Sequence, residues 1–146
     1  MIRNLCKKVV LKGGKLVPLM IPSKETNGTG LMNPSIYLHG ENLLLNLRHV
    51  NYTLYHCEGN QVFQNRWGPL SYLNPENDRH LKTINFLCIL HPDALLISNY
   101  GKIDTSKLDV EPNWEFVGLE DARLFCWDGK VYNCGVRRDI KTNGEG

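Results

Sequence analysis

The chain has 146 residues, 42% of them apolar and 22% charged, with a formal net charge of +2. That length is one domain's worth, enough to bury roughly 70% of the unfolded surface in a single compact unit. The composition is too apolar for a disordered chain, and the basic residues are scattered rather than striped, so no nucleic-acid partner is expected.

Cysteines at 6, 57, 88, 126 and 134 show no C-x-x-C spacing and read as free thiols in a reducing compartment, so a cytoplasmic location is expected. Lys7, Lys8, Lys12 and Lys15 interrupt every early apolar run. No stretch approaches the ~20 apolar residues of a membrane span, and no membrane partner is expected. His49 and His56 fall on neighbouring predicted strands without a third ligand at a fixed spacing, so no metal is expected.

The first unit, residues 1–32, reads as a hairpin followed by a connector. Residues 9–11 and 16–21 flank Gly13-Gly14, a pair that supplies the positive φ of a tight turn. Residues 22–33 are polar and Gly-rich. Three strands are then predicted at 35–38, 42–50 and 53–58. The middle one carries Leu43, Leu44, Leu45, Leu47 and Val50, a run too continuous for a half-exposed strand and suited to burial on both faces. Residues 64–82 are a second polar stretch, broken by Pro69 and Pro75.

Strands are predicted again at 83–90 and 94–100, split by His91-Pro92-Asp93, and residues 101–113 form another loop. The clearest local signal is a hairpin of 124–127 and 130–136 around Asp128-Gly129, a pair favoured in type I′ turns. Apolar positions follow runs or alternation and no window carries a convincing 3.6-residue stripe, so almost no helix is expected. The fold class is all-β, and periodicity alone leaves sandwich, barrel and propeller open. Residues 139–146 read as a polar tail that leaves the last hairpin uncovered.

Residues 118–123, Gly-Leu-Glu-Asp-Ala-Arg, hold the densest chemistry. Adjacent carboxylates raise one another's pKa while an arginine lowers it, a split that allows one carboxyl to serve as a general acid. Neighbouring strand residues face opposite ways, so alternation puts Asp121, and not Glu120, on the face of Arg123.

The segment GLEDARLFCWDGKVYNCGVRRD, from Gly118 to Asp139, resembles the mannoside phosphorylase and β-1,2-mannosidase family of five-bladed β-propellers, part of a wider furanosidase-like group. That family carries Gly-x-Glu-Asp-Pro-Arg at the start of a strand, and Ala122 stands here in place of the proline. Asn33-Pro34-Ser35-Ile36 followed by Leu47-Arg48 is similar to its first blade. Residues 67–90 have no counterpart in it.

The resemblance implies a five-bladed propeller of which residues 33–146 hold an incomplete part, roughly the first two blades at ~40–50 residues each. It implies phosphorolysis or hydrolysis of mannoside-like linkages, with Asp121 as the general acid acting through a sugar hydroxyl. Glu120, Arg123 and Arg48 would bind sugar, and Arg48 and Arg138 would bind inorganic phosphate as co-substrate. Trp114, just before the motif, has an aromatic face that could stack on a sugar ring and is a further substrate-binding candidate. No other cofactor is expected. The short chain is expected to be inactive and to self-associate through uncovered blade faces. The rival reading is a non-catalytic sugar-recognition or scaffolding propeller domain of a longer glycosyltransferase-type protein.

Overall fold

A computed structural model describes residues 2–27, 30–54, 62–64, 68 and 70–146, without the side chains of Ile2 and Leu54. Among these residues the protein is mostly β, with antiparallel sheets and one α-helix, α1 (Ile2–Leu11). The strands are β1 (Leu31–His39), β2 (Asn42–Val50), β3 (Tyr52–Leu54), β4 (Val62–Phe63), β5 (Leu70–Tyr72), β6 (Leu81–His91), β7 (Leu96–Lys102), β8 (Phe116–Val117), β9 (Leu119–Trp127) and β10 (Lys130–Arg137).

The main sheet is an antiparallel run in the order β1-β2-β6-β7, with β8 added in parallel beside the start of β6. A small sheet β3-β5-β4 branches off between β2 and β6, and β9-β10 form a separate hairpin. The expected turn closes that hairpin, with Asp128 and Gly129 at φ 48° and 70°. β2 is buried continuously from Leu45 to Val50, as its apolar run requires.

The two faces of the main sheet differ in chemistry. On one, Leu45, Leu47, Phe86 and Cys88 pack with Ile21, which the connector folds onto the sheet. Burying each large side chain of this set contributes roughly 1.5–3 kcal/mol. The other face is polar and meets the β9-β10 hairpin. Asn133 donates to Asn46 (3.0 Å), Asn46 to Asn85 (3.0 Å), and Asn85 to the Leu119 carbonyl (2.7 Å), a chain of amides from hairpin to sheet and back. A second apolar cluster of Val50, Tyr52, Leu70, Tyr72, Leu81 and Phe116 joins the small sheet to the strand ends.

Three expectations need correction. Residues 2–11 are a helix, and Gly13-Gly14 end it instead of turning a hairpin. Gly13, at φ 81°, donates its N–H to the Val10 carbonyl, and Gly14 donates to Val9. This is a Schellman cap, which uses the same positive φ that a hairpin would have used. Residues 139–146 are not a free tail. The Asp139 side chain is fully buried, its carbonyl accepts from the Asn113 N–H (2.8 Å), and Gly144 closes on the Trp114 indole. The polar stretch 64–82 contains β5, whose Leu70, Ser71 and Tyr72 are all buried. Most of the strand predicted at 53–58, with His56 and Cys57, lies outside the described residues. Cys6, Cys88, Cys126 and Cys134 are free thiols.

Candidate functional site

Gly118 opens the site. Its φ is 103°, and a side-chain carbon there would overlap the Thr83 carbonyl oxygen, so the position admits only glycine without strain. Asp139 holds the same turn by accepting the Gly118 N–H at 3.2 Å. Burial works against the charge on Asp139, but the hydrogen bonds from Arg137 and Gly118 outweigh it and hold the carboxyl below its ordinary value. Arg137 forks onto Asp139 (2.5 and 3.0 Å) and reaches Asp109 at 3.1 Å, so it braces this corner and faces away from the site.

Two β-bulges set the site's geometry. In β9-β10 the register runs Arg123 opposite Cys134 and then Glu120 opposite Val136, so Asp121 and Ala122 share one partner residue, Gly135. In β1-β2 the register jumps from Met32 opposite Arg48 to Ser35 opposite Asn46, so Asn33 and Pro34 share Leu47. Asp121 and Asn33 are each in the left-handed region, at φ 48° and 46°. Asp and Asn are the non-glycine residues that tolerate it best. The two bulged residues bond to each other, Asn33 Nδ2 donating to Asp121 Oδ1 at 2.7 Å.

Burial alternates along β9 as expected, with Glu120 and Ala122 buried and Asp121 and Arg123 exposed, and the bulge brings Asp121 within reach of Arg48 as well. An extra residue in one strand re-aims the side chains around it. Glu120 and Asp121 therefore both reach Arg48, whose Nη1 lies 2.8 Å from Asp121 Oδ1 and whose Nη2 lies 3.6 Å from Glu120 Oε1. Arg48 is buried and also donates to Tyr52 OH (2.8 Å) and to Thr83 Oγ1 (3.3 Å), so every nitrogen of its guanidinium is engaged. Burial pushes the Tyr52 phenol up to about 12, which keeps it neutral as an acceptor for Arg48.

Glu120 is buried between two arginines, with Arg138 Nε 3.4 Å from its Oε2. Burial raises its carboxyl above the ordinary value, against Arg48 and then Arg138 drawing it down. Glu120 Oε1 has no hydrogen-bond partner among the described residues. Arg138 Nη1 donates to the Gly144 carbonyl at 2.9 Å.

These groups open onto one cavity of about 610 Å³. Asn33, Arg48, Glu120, Asp121 and Arg138 form its polar side, and Met32, Tyr52, Leu70, Leu73 and Phe116 its apolar wall. The volume suits a small ligand, with a few convergent polar groups to orient it. Of the candidates from sequence, Arg48, Glu120, Asp121 and Arg138 meet there. Arg123 does not, because it points from the exposed face of β9 to the Pro34 carbonyl at 3.4 Å. Trp114 does not either, since it packs against the cluster around Val50 and Tyr52, under Gly144.

Sequence reasoning missed Asn33, Tyr52 and Thr83 as members of the site. Asn33 carried a readable signal, an Asn before Pro at a strand start, but its φ and its bond to Asp121 depend on pairing 88 residues apart. Comparison with protein-family models, with curated proteins and with solved structures finds no match for this chain.

Proposed function

We propose that the cavity binds a carbohydrate and that the chain is part of a glycoside-processing β-propeller acting on mannoside-like linkages. The observation that carries the reading is the cavity wall on which Glu120, Asp121 and Arg138 converge, with Glu120 Oε1 ion-paired to Arg48 at 3.6 Å but short of a hydrogen bond. Convergent carboxylates and a guanidinium opposite an apolar wall are the groups that orient the hydroxyls and pack the ring of a sugar. The four-stranded antiparallel run β1-β2-β6-β7, followed by the first hairpin of another sheet, suits a propeller blade and the start of its neighbour.

In this reading Asp121 gives its proton, through a sugar hydroxyl, to the glycosidic oxygen. Phosphate or water attacks the anomeric carbon from the opposite side as that bond breaks. Arg138, on the cavity wall beside Glu120, is the anion ligand in this reading. Arg48 acts as a positioning residue, because its nitrogens already hold Asp121, Tyr52 and Thr83. The recognition-domain reading has its own support, since Asp121 Oδ1 accepts from both Asn33 and Arg48, as suits a fixed hydrogen-bond acceptor.

The test titrates the full chain with β-mannosides, with and without inorganic phosphate, following binding by ligand-observed NMR and release of sugar or sugar 1-phosphate. The chain by itself is expected to bind mannosides without turnover, and Asp121→Asn should leave affinity within a few-fold. In an assembled propeller that contains the chain, Asp121→Asn should lower turnover by ~10²-fold or more, and binding there without any turnover selects the recognition domain. Absence of mannoside binding, with Glu120→Gln changing nothing, sinks both readings.

A further inference from the structure

We propose that α1 is a docking element for an anionic lipid bilayer surface. The early lysines interrupt the apolar run when the sequence is read linearly, which is why no membrane partner was expected from it. A helix sorts them. At 3.6 residues per turn, Leu5, Cys6, Val9 and Val10 fall on one side of α1, with Lys8 on one flank of that stripe and Arg3 and Lys7 on the other. Such flanking is what an amphipathic helix needs to lie in a bilayer interface, apolar side down and cations at the headgroups.

Among the described residues the stripe is largely uncovered, with Gly14 against Val9 and Cys6 half-buried. Leu5, Val9 and Val10 are 58%, 42% and 55% exposed, and past the Gly13-Gly14 cap Leu16 and Met20 are exposed as well. A shallow apolar hollow of about 410 Å³ runs between Cys6, Val10, Leu11 and Leu16. Charge identifies the occupant. Arg3, Lys7, Lys8, Lys12, Lys15 and Lys24 precede the first carboxylate, Glu25, so the net charge of +2 is a basic segment set against an acidic remainder. Cations on both flanks of an apolar stripe match a planar anionic surface with an apolar interior. An acidic protein groove is the competing occupant.

The experiment sediments the full chain with vesicles of phosphatidylcholine alone and of phosphatidylcholine carrying about 30 mol% phosphatidylserine, at low and high salt. Circular dichroism confirms that each variant keeps its strand signal. The expected result is ~10-fold or greater preference for the anionic vesicles, lost in high salt, and a fall of ~10-fold or more in Lys7→Glu/Lys8→Glu. Val9→Asp should weaken partition with every cation intact. Equal partition to both vesicles, or full binding by Lys7→Glu/Lys8→Glu, overturns the proposal. Binding to a polyglutamate peptide without binding to vesicles also overturns it, in favour of an acidic protein partner.

Discussion

Glu120 and Asp121 are chemically similar neighbours placed in opposite environments. Asp121 has 55% of its side chain exposed and is held by Asn33 and Arg48, whereas Glu120 is 10% exposed and has one oxygen without a hydrogen bond among the described residues. The pair was legible in the sequence as two carboxylates beside an arginine, but not which of them is buried. A carboxyl whose folded pKa lies above its unfolded one binds extra protons in the folded state. Its contribution is therefore complete below the ordinary glutamate value of ~4.3 and is lost as pH rises through the raised folded value. Glu120→Gln should abolish that decline, so that urea unfolding from about pH 4 to 7 gives a flatter stability profile than the parent. Parallel profiles would show that Glu120 is not raised. Asp139 acts with the opposite sign. Its stabilisation is complete above the ordinary aspartate value and disappears as pH falls through its lowered folded value, on the acid side of that window.

Strands β1 and β9 meet at their bulges, and it is the bulges that give the site its geometry. Asn33 contributes in two separable ways, through a left-handed φ of 46° and through its bond to Asp121. Asn33→Gly keeps the backbone and loses the bond, and Asn33→Ala loses both. Glycine should therefore cost about 1 kcal/mol, and alanine roughly 1–2 kcal/mol more, as read from chemical denaturation. Equal losses would mean that the backbone conformation at 33 is not strained for alanine. At this scale the regular parts of the strands were legible, since β2, β6 and the Asp128-Gly129 hairpin follow from apolar runs and turn chemistry. Helix α1 was not. Its stripe is short, Leu11 falls on the wrong side, and Gly13-Gly14 serves a helix cap and a hairpin equally well.

At the scale of the whole molecule, one sheet face is uncovered among the described residues. On the outer side of β9-β10, Phe125 and Tyr132 stack with centroids 5.6 Å apart, and Trp127 is 71% exposed beside them. Val136 extends the apolar area along β10, and among the described residues that strand pairs only with β9. An exposed aromatic face beside an open strand edge favours association. The chain should form concentration-dependent oligomers in analytical ultracentrifugation, and Trp127→Lys with Phe125→Lys should shift them at least several-fold toward monomer. A parent chain that stays monomeric at the highest attainable concentration would leave that face without a role in association.

From its sequence alone the chain declares an all-β body, the doubly buried β2, the hairpin turn at Asp128-Gly129, and the carboxylates and arginines from which a site is built. Those features are local, because a period of two, a turn pair or a charge cluster is complete within a few residues. Tertiary structure decided the rest. It placed Arg48 and Arg138 at the cavity and Arg123 outside it, buried Asp139, and brought Glu120 and Asp121 onto the same guanidinium. One extra residue at each bulge bends its strand and re-aims the side chains beside it. Whether that residue is accommodated depends on cross-strand register and on the Asn33–Asp121 contact, which exist only once distant strands have met.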